Sequence, residues 1–234
     1  MHSHYACSKC NGKLGMVKWR AMGSQETKRR VVGLVIAGGK ASRMGADKPF
    51  VRFQNGVLLD AVVDRVLPQV DALMLNVRPE HVAPCQSRYG DKFVLLPDAF
   101  DGNCGPLGGV IAGLQQLPPL NAEWLATFPC DTPFIPRDIV ATLLETAQLT
   151  VGRPVVAAAS GQVQNLCAVW PYQTLEALRE GVKSGAFRSA WWALDALHAV
   201  RLDISGEPHA FFNINTPEDL ADAEKLAGGS RERT

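Results

Sequence analysis

The feature that most constrains this chain is an apolar run that turns directly into two glycines. Residues 31–37 (Val-Val-Gly-Leu-Val-Ile-Ala) are apolar without alternation. Such a run predicts a strand buried on both faces, which is the condition of a parallel sheet. Gly38-Gly39 then lets the main chain approach a ligand closely, because neither residue carries a Cβ. The continuing loop, Lys40-Ala41-Ser42-Arg43-Met44-Gly45-Ala46-Asp47-Lys48-Pro49, holds the cations Lys40, Arg43 and Lys48. Cations beside an open backbone form a receptor for a polyanion, most economically a triphosphate. The loop matches neither G-x-x-x-x-G-K-[ST] nor G-x-G-x-x-G, so a nucleotide would be held in some other way.

Composition narrows the surroundings of that loop. With 47% hydrophobic and 20% charged residues in 234, the chain has the makeup of an ordinary globular protein. A formal net charge of +1 argues against a surface built to coat nucleic acid, so any basic patch is local. No apolar run approaches the ~18–20 residues that cross a bilayer, and no signal-peptide core opens the chain. The expectation is a cytoplasmic protein with no membrane partner. Its six cysteines are scattered and read as free thiols.

Residues 1–28 differ from the rest, being rich in Lys, Arg, Ser, His and Cys without periodicity. They read as an N-terminal extension, either disordered or foreign to the natural chain, before one domain over 29–234. His2, His4, Cys7 and Cys10 contain a single Cys-x-x-Cys. Without a second such pair this is a weak zinc signal, and an inert tail is the better account. From Val31 onward strands and helices alternate. Strands are predicted at 72–77, 93–96, 124–128, 155–159, 163–170 and 200–204, with a short apolar stretch at 211–214. Helices are predicted at 58–70, 106–117, 136–148, 172–182, 187–197 and from 216. This alternation implies a mostly parallel sheet covered on both faces, a Rossmann-like three-layer α/β/α fold.

In open α/β sheets, ligands bind beyond the carboxyl ends of the strands. Four polar groups fall there: the 38–48 loop, Asn76, Asp98 and Asp131. Asp and Asn are common in turns, so each alone reads as structural; together they suggest one crevice. Asp131, set between Pro129 and Pro133 after a buried strand, is the candidate ligand for Mg²⁺, which takes one or two carboxylates and completes its shell with water and phosphate oxygens. A helix cap is the alternative, and the nearby prolines make an immediate helix start less natural. Asp98 and Asn76 suit a base, since one carboxylate can accept the adjacent N1–H and N2–H₂ of guanine together. Gly105-Pro106-Leu107-Gly108-Gly109 opens a helix, and a helix N-terminus favours anions.

Ile36-Ala37-Gly38-Gly39-Lys40-Ala41-Ser42-Arg43-Met44-Gly45-Ala46-Asp47-Lys48 resembles the nucleotide signature of the molybdenum cofactor guanylyltransferases. Asp98, Gly105-Pro106-Leu107-Gly108-Gly109, Pro129-Cys130-Asp131-Thr132-Pro133 and Phe212-Asn213-Ile214-Asn215-Thr216-Pro217-Glu218-Asp219-Leu220 follow in that family's order. The resemblance implies a nucleotidyltransferase that joins GMP from GTP to the phosphate of molybdenum-bearing molybdopterin. It assigns Ile36, Ala37, Gly38, Gly39, Lys48, Asn76, Asp98 and Asp131 to GTP, and Asp131 also to Mg²⁺. Catalytic roles fall to Lys48, Arg43 and Asp131, which neutralise charge as phosphoryl transfer requires. The acceptor is assigned to Gly105, Gly108, Gln164, Asn165, Asn213 and Asn215, and the onward partners would be molybdoenzyme maturation proteins. One departure stands out: relatives often have a His-Pro pair where this chain has Gln164-Asn165-Leu166-Cys167. The rival readings are a transferase for another base, such as a molybdopterin cytidylyltransferase or a sugar-nucleotide pyrophosphorylase, and a non-catalytic cofactor carrier. Many of the former carry Ala-Ala-Gly where this chain has Ala37-Gly38-Gly39; the carrier reading would be favoured by loss of Lys48 or Asp131, and both are present.

Overall fold

A computed structural model describes residues 30–38, 47–97, 104–206 and 209–229. Along the chain come β1 (Val31–Ile36), β2 (Arg52–Phe53), β3 (Gly56–Val57), α1 (Leu58–Val66), β4 (Ala72–Val77), α2 (Val82–Tyr89) and β5 (Val94–Pro97). Then follow α3 (Leu107–Gln115), β6 (Trp124–Pro129), α4 (Ile139–Leu149), β7 (Val155–Ala159), β8 (Gln162–Pro171), α5 (Leu175–Lys183), α6 (Ala190–Ala196), β9 (Val200–Asp203) and α7 (Pro217–Gly229). Seven strands form one sheet in the order β5-β4-β1-β6-β8-β7-β9. β4 and β6 run parallel to β1, β5 runs parallel to β4, and β9 runs parallel to β7. β8 is antiparallel to both its neighbours. The expected three-layer, mostly parallel architecture is therefore the observed one.

β1 is buried along all six residues because it is central and covered twice. Val31 and Val35 point to one face, where Leu59, Val62 and Val66 of α1 and Leu143 of α4 complete a core. Val32, Leu34 and Ile36 point to the other, against Val110, Ile111 and Leu114 of α3. Both faces being apolar explains why the run shows no alternation. α3 lies close to the sheet because two glycines one turn apart face it. A Cβ on Gly113 would stand 2.9 Å from side-chain atoms of both Leu34 and Leu125, and one on Gly109 would stand 2.4 Å from Asn76 Oδ1.

The predicted elements shift where polar clamps or prolines override periodicity. The helix expected over 58–70 ends at Val66 and tightens into a 3₁₀ turn at Leu67–Gln69, since Pro68 brings no N–H. The helix expected from Pro136 starts at Ile139, where Gln69 fastens it: its Nε2 donates to the Pro136 carbonyl and its Oε1 accepts from Val140 N–H. The helix expected from Phe187 starts at Ala190, because Phe187 is packed onto Gly181 of α5 and its N–H donates to the Gly181 carbonyl. Residues 211–214 form no strand. The β2–β3 hairpin and α2 had no sequence prediction at all. They are tied together by Asp60, which accepts from Val57 N–H, Tyr89 O–H and the Arg88 guanidinium. The 155–159 and 163–170 strands do form a hairpin, with Ser160 and Gly161 both at positive φ as a two-residue turn requires.

Two predictions test this packing. Gly109→Ala pushes a methyl into Asn76, which is pinned by its own hydrogen bond to Leu96; the net cost, after the helix-propensity gain, is about 1–2 kcal/mol in a denaturant titration. Burial would raise the Asp60 pKa, but the hydrogen bonds from Arg88, Val57 and Tyr89 outweigh it and hold the carboxyl below its ordinary value. That contribution is present above the unfolded carboxylate value of about 4 and is lost as pH falls through the lowered folded value. Asp60→Asn will be less stable than the parent at neutral pH and will lose less of its stability on acidification, read from unfolding curves at several pH values.

Candidate active site

The strand order reverses between β1 and β6. The chain leaves β1 toward β4 on one side and later returns to place β6 on the other, so the crevice opens at their carboxyl ends. The parallel ladder pairs Ile36 with Pro129, and Cys130 N–H extends it by donating to the Ile36 carbonyl at 3.1 Å. Gly38, half-buried, and Asp131 therefore emerge side by side. Ala37 N–H is spent on the Asn76 carbonyl at 2.8 Å, and Ile36 and Ala37 are both buried. Of the main chain described in this loop, Gly38 is the residue left at the crevice edge. Gly39 and Arg43 lie outside the described residues, as do Lys40, Asp98 and the tail with His2, His4, Cys7 and Cys10.

Lys48 and Asp131, separated by 83 residues in sequence, meet across the crevice. Lys48 Nζ donates to Asp131 Oδ2 at 2.6 Å and to Asn215 Oδ1 at 2.7 Å. A lysine offers donors only, so the Asn215 atom facing it is the carbonyl oxygen. Lys48 sits in a one-turn 3₁₀ helix, Lys48–Phe50, whose preceding residue Asp47 lies 3.2 Å from His81 Nε2 and 3.9 Å from Arg78 Nη1. Phe50 packs edge-on against the buried His81 ring, holding the turn to the end of β4.

The segment 213–216 closes the site from the carboxyl-terminal side. Thr132, 1% exposed, donates its hydroxyl to Asn213 Oδ1 at 2.7 Å, and its Oγ1 lies 3.3 Å from Asp131 Oδ1. Ile214 N–H donates to the Asp131 carbonyl. Thr216 precedes Pro217 at the start of α7 and accepts from Asp219 N–H, while Asp219 Oδ2 accepts from the N–H groups of both Asn215 and Thr216. These N–H groups, that of Asn215 first, hold the Asp219 carboxyl below its usual range. Thr132 and Asp219 had no assigned role in the sequence. The signal for Asp219 was present, since Thr-Pro-Glu-Asp is a capping-box pattern with proline at its first helical position.

Asn76 lies near the carboxyl end of β4, where the predicted strand 72–77 placed it. It is fully buried, and its Nδ2 donates to the Leu96 carbonyl of β5 at 3.1 Å. Its side chain sits under the first turn of α3. Gly105 is exposed at φ +53°, and Gly108 is buried inside α3. Gln164 and Asn165 lie on β8 where it bulges: Val156 pairs with Ala168 and Ala158 with Val163, so residues 164–167 face Ala157 alone. Bulges of this kind re-aim side chains beside active sites. Asn165 Oδ1 is buried and accepts no hydrogen bond among the described residues. Gln164 lines a cleft of about 630 Å³ with Ala159, Asp203, His209 and Phe212, at the same edge of the sheet as the Lys48–Asp131 pair.

The donor set limits which metal could bind here. Among the described residues no group of three or more His, Cys, Asp or Glu converges. A single carboxylate, with one oxygen on a lysine and the other only loosely held by Thr132, fits a hard cation delivered with phosphate oxygens and waters. No helix among the described residues is long and apolar enough to cross a membrane.

A mostly parallel sheet that opens at its switch point onto Gly38, a lysine and an aspartate is the frame of an α/β nucleotidyltransferase. Residues 33–199 match the family model described as the MobA-like NTP transferase domain. The molybdenum cofactor guanylyltransferase of Rhodopseudomonas palustris (strain BisB5) is 35% identical over 199 residues, covering 83% of this chain and 92% of that protein. The enzyme of the same name from Cereibacter sphaeroides (strain ATCC 17029) is also 35% identical over 199 residues, covering 84% and 97%. Among solved structures, molybdopterin-guanine dinucleotide biosynthesis protein A from Archaeoglobus fulgidus superposes with a TM-score of 0.70 at 21% identity, over 85% of this chain and 99% of that one. The chain belongs to the MobA-like NTP transferase family and is an enzyme of the nucleotidyltransferase class.

Cys130, next to Asp131, packs into the hydrophobic core. Burial, reinforced by the Asp131 carboxylate, pushes its thiol up to about 12. The thiolate fraction at pH 8 is then on the order of 10⁻⁴, so Cys130 will resist a thiol-specific disulfide reagent in the folded protein and react once the chain is unfolded. Mass mapping of labelled peptides checks this.

Proposed function

We propose that this enzyme transfers GMP from GTP to the terminal phosphate of molybdenum-bearing molybdopterin, forming the guanine dinucleotide cofactor and pyrophosphate, with Mg²⁺ as its metal. The observation that carries the reading is the meeting of Lys48, Asp131 and Asn215 at the switch point. The names of relatives at about 35% identity support the choice of substrates.

The acceptor phosphate is already ionised and is its own nucleophile. One of its oxygens bonds to the α-phosphorus of GTP as the bond from that phosphorus to the α–β bridging oxygen breaks, and pyrophosphate carries away the electron pair. The enzyme therefore needs no serine or cysteine nucleophile, in keeping with the protonated state of Cys130. Its task is to position the phosphates and neutralise their charge. Lys48 supplies a cation at the crevice, and Asp131 is the residue to hold Mg²⁺, which when bound offsets charge on the phosphates. Asn213 and Asn215 have their carbonyl oxygens engaged on Thr132 and Lys48, which leaves their N–H₂ groups as donors for an anionic acceptor. The cleft beyond Gln164, continuous in sequence with Phe212-Asn213, is the place for the body of the pterin.

Incubation with GTP, Mg²⁺ and molybdenum-loaded molybdopterin will yield the guanine dinucleotide and pyrophosphate, read by chromatography with mass detection. Equal or faster turnover with CTP or UTP would overturn the base assignment. Asp131→Ala will lower transfer at least ~10³-fold with an unchanged circular dichroism spectrum, and Mg²⁺-dependent activity retained in that variant removes Asp131 from its role.

A further inference from the structure

Lys48 has three N–H donors, and among the described residues two of them are engaged, one on a carboxylate and one on a neutral amide. The amide is not the stronger partner, so its place must be held by something else. In an ordinary capping box the acidic side chain reaches back to the N–H of the capping residue, here Thr216. Asp219 does this and takes a second N–H as well, that of Asn215, both at 2.9 Å. Asn215 is the residue whose side-chain oxygen touches Lys48. Its neighbours are fastened to the same corner, Asn213 by Thr132 and Ile214 by the Asp131 carbonyl.

We propose that Asp219 is a positioning residue for the nucleotide site. By holding the Asn215 and Thr216 N–H groups, it keeps the Asn215 oxygen on Lys48, which shares the ammonium out and prevents it from collapsing onto Asp131 alone. A lysine paired with one carboxylate is a self-neutralised site that a metal-bound triphosphate must first break. A lysine shared with a neutral oxygen is exchanged more cheaply, because the amide partner gives up no charge. The proposal rests on the nucleotide-transfer reading.

The test is calorimetric titration of Mg·GTP into the full chain, its Asp219→Ala, Asp219→Asn and Asn215→Ala variants, and the double Ala variant, well below the melting temperature of the weakest. Asp219→Ala and Asn215→Ala will each weaken binding roughly 5–10-fold, and the double variant will bind no worse than Asn215→Ala alone, since the two residues act in series. Asp219→Asn will bind within about 2-fold of the parent, because its amide oxygen can still accept both N–H groups. Additive losses, an unchanged affinity in Asp219→Ala beside a lowered melting temperature, or no rescue by Asn would each overturn the positioning role. A parent chain that binds Mg·CTP or Mg·UTP in place of Mg·GTP overturns only the base assignment, and the same cycle is then run with that nucleotide. A parent that binds none of the three overturns both.

Discussion

Everything in the site depends on the parallel ladder between β1 and β6. These two strands are far apart in sequence, Val31 pairing with Trp124 at their first rung, yet they end together. Cys130 N–H on the Ile36 carbonyl closes the last rung. Beyond that rung the ladder between the two strands ends. Gly38 opens the main chain on one side and Asp131 projects a carboxylate on the other. The apolar burial of both faces of β1 is what makes the ladder rigid enough to set that separation.

On this frame the polar groups form one chain of contacts rather than a set of isolated residues. Asp219 holds Asn215, Asn215 and Asp131 share Lys48, and Thr132 joins Asp131 to Asn213. The segment before α7 thereby brings the carboxyl-terminal part of the chain against a loop from its beginning. A charge placed on Lys48 or Asp131 is therefore felt by the amides of Asn215 and Asn213. The bulge in β8 adds a second irregularity at the same edge, where the register with β7 shifts between Val156 and Ala158.

Much of the fold was legible because its signals are local. Uninterrupted apolar runs marked the central strands, and Ser160-Gly161 marked the hairpin between β7 and β8 through its demand for positive φ. Helix starts were less legible. Gln69 decides where α4 begins, from a distant part of the sequence, and Phe187 prefers Gly181 to continuing as helix. The β2–β3 hairpin and α2 were silent because Asp60, Arg88 and Tyr89 stabilise them through contacts across 28 and 29 residues. In the site, Lys48 and Asp131 were readable as charges at strand ends. Asn76 carries the same signal, and only the structure shows its side chain bonded to Leu96 of the neighbouring strand.

By itself, the amino-acid sequence determined the layered α/β architecture, where β1 ends and the kinds of charge available to a ligand. Those follow from hydrophobic periodicity and from the conformations that glycine and proline permit or forbid. Tertiary structure decided which charges meet. That Lys48 shares its ammonium between Asp131 and Asn215 depends on register and on contacts between residues 83 and 167 positions apart. Ion pairs and hydrogen bonds act over a few ångströms, so no pattern along the chain can specify them until the packed sheet has brought their partners together.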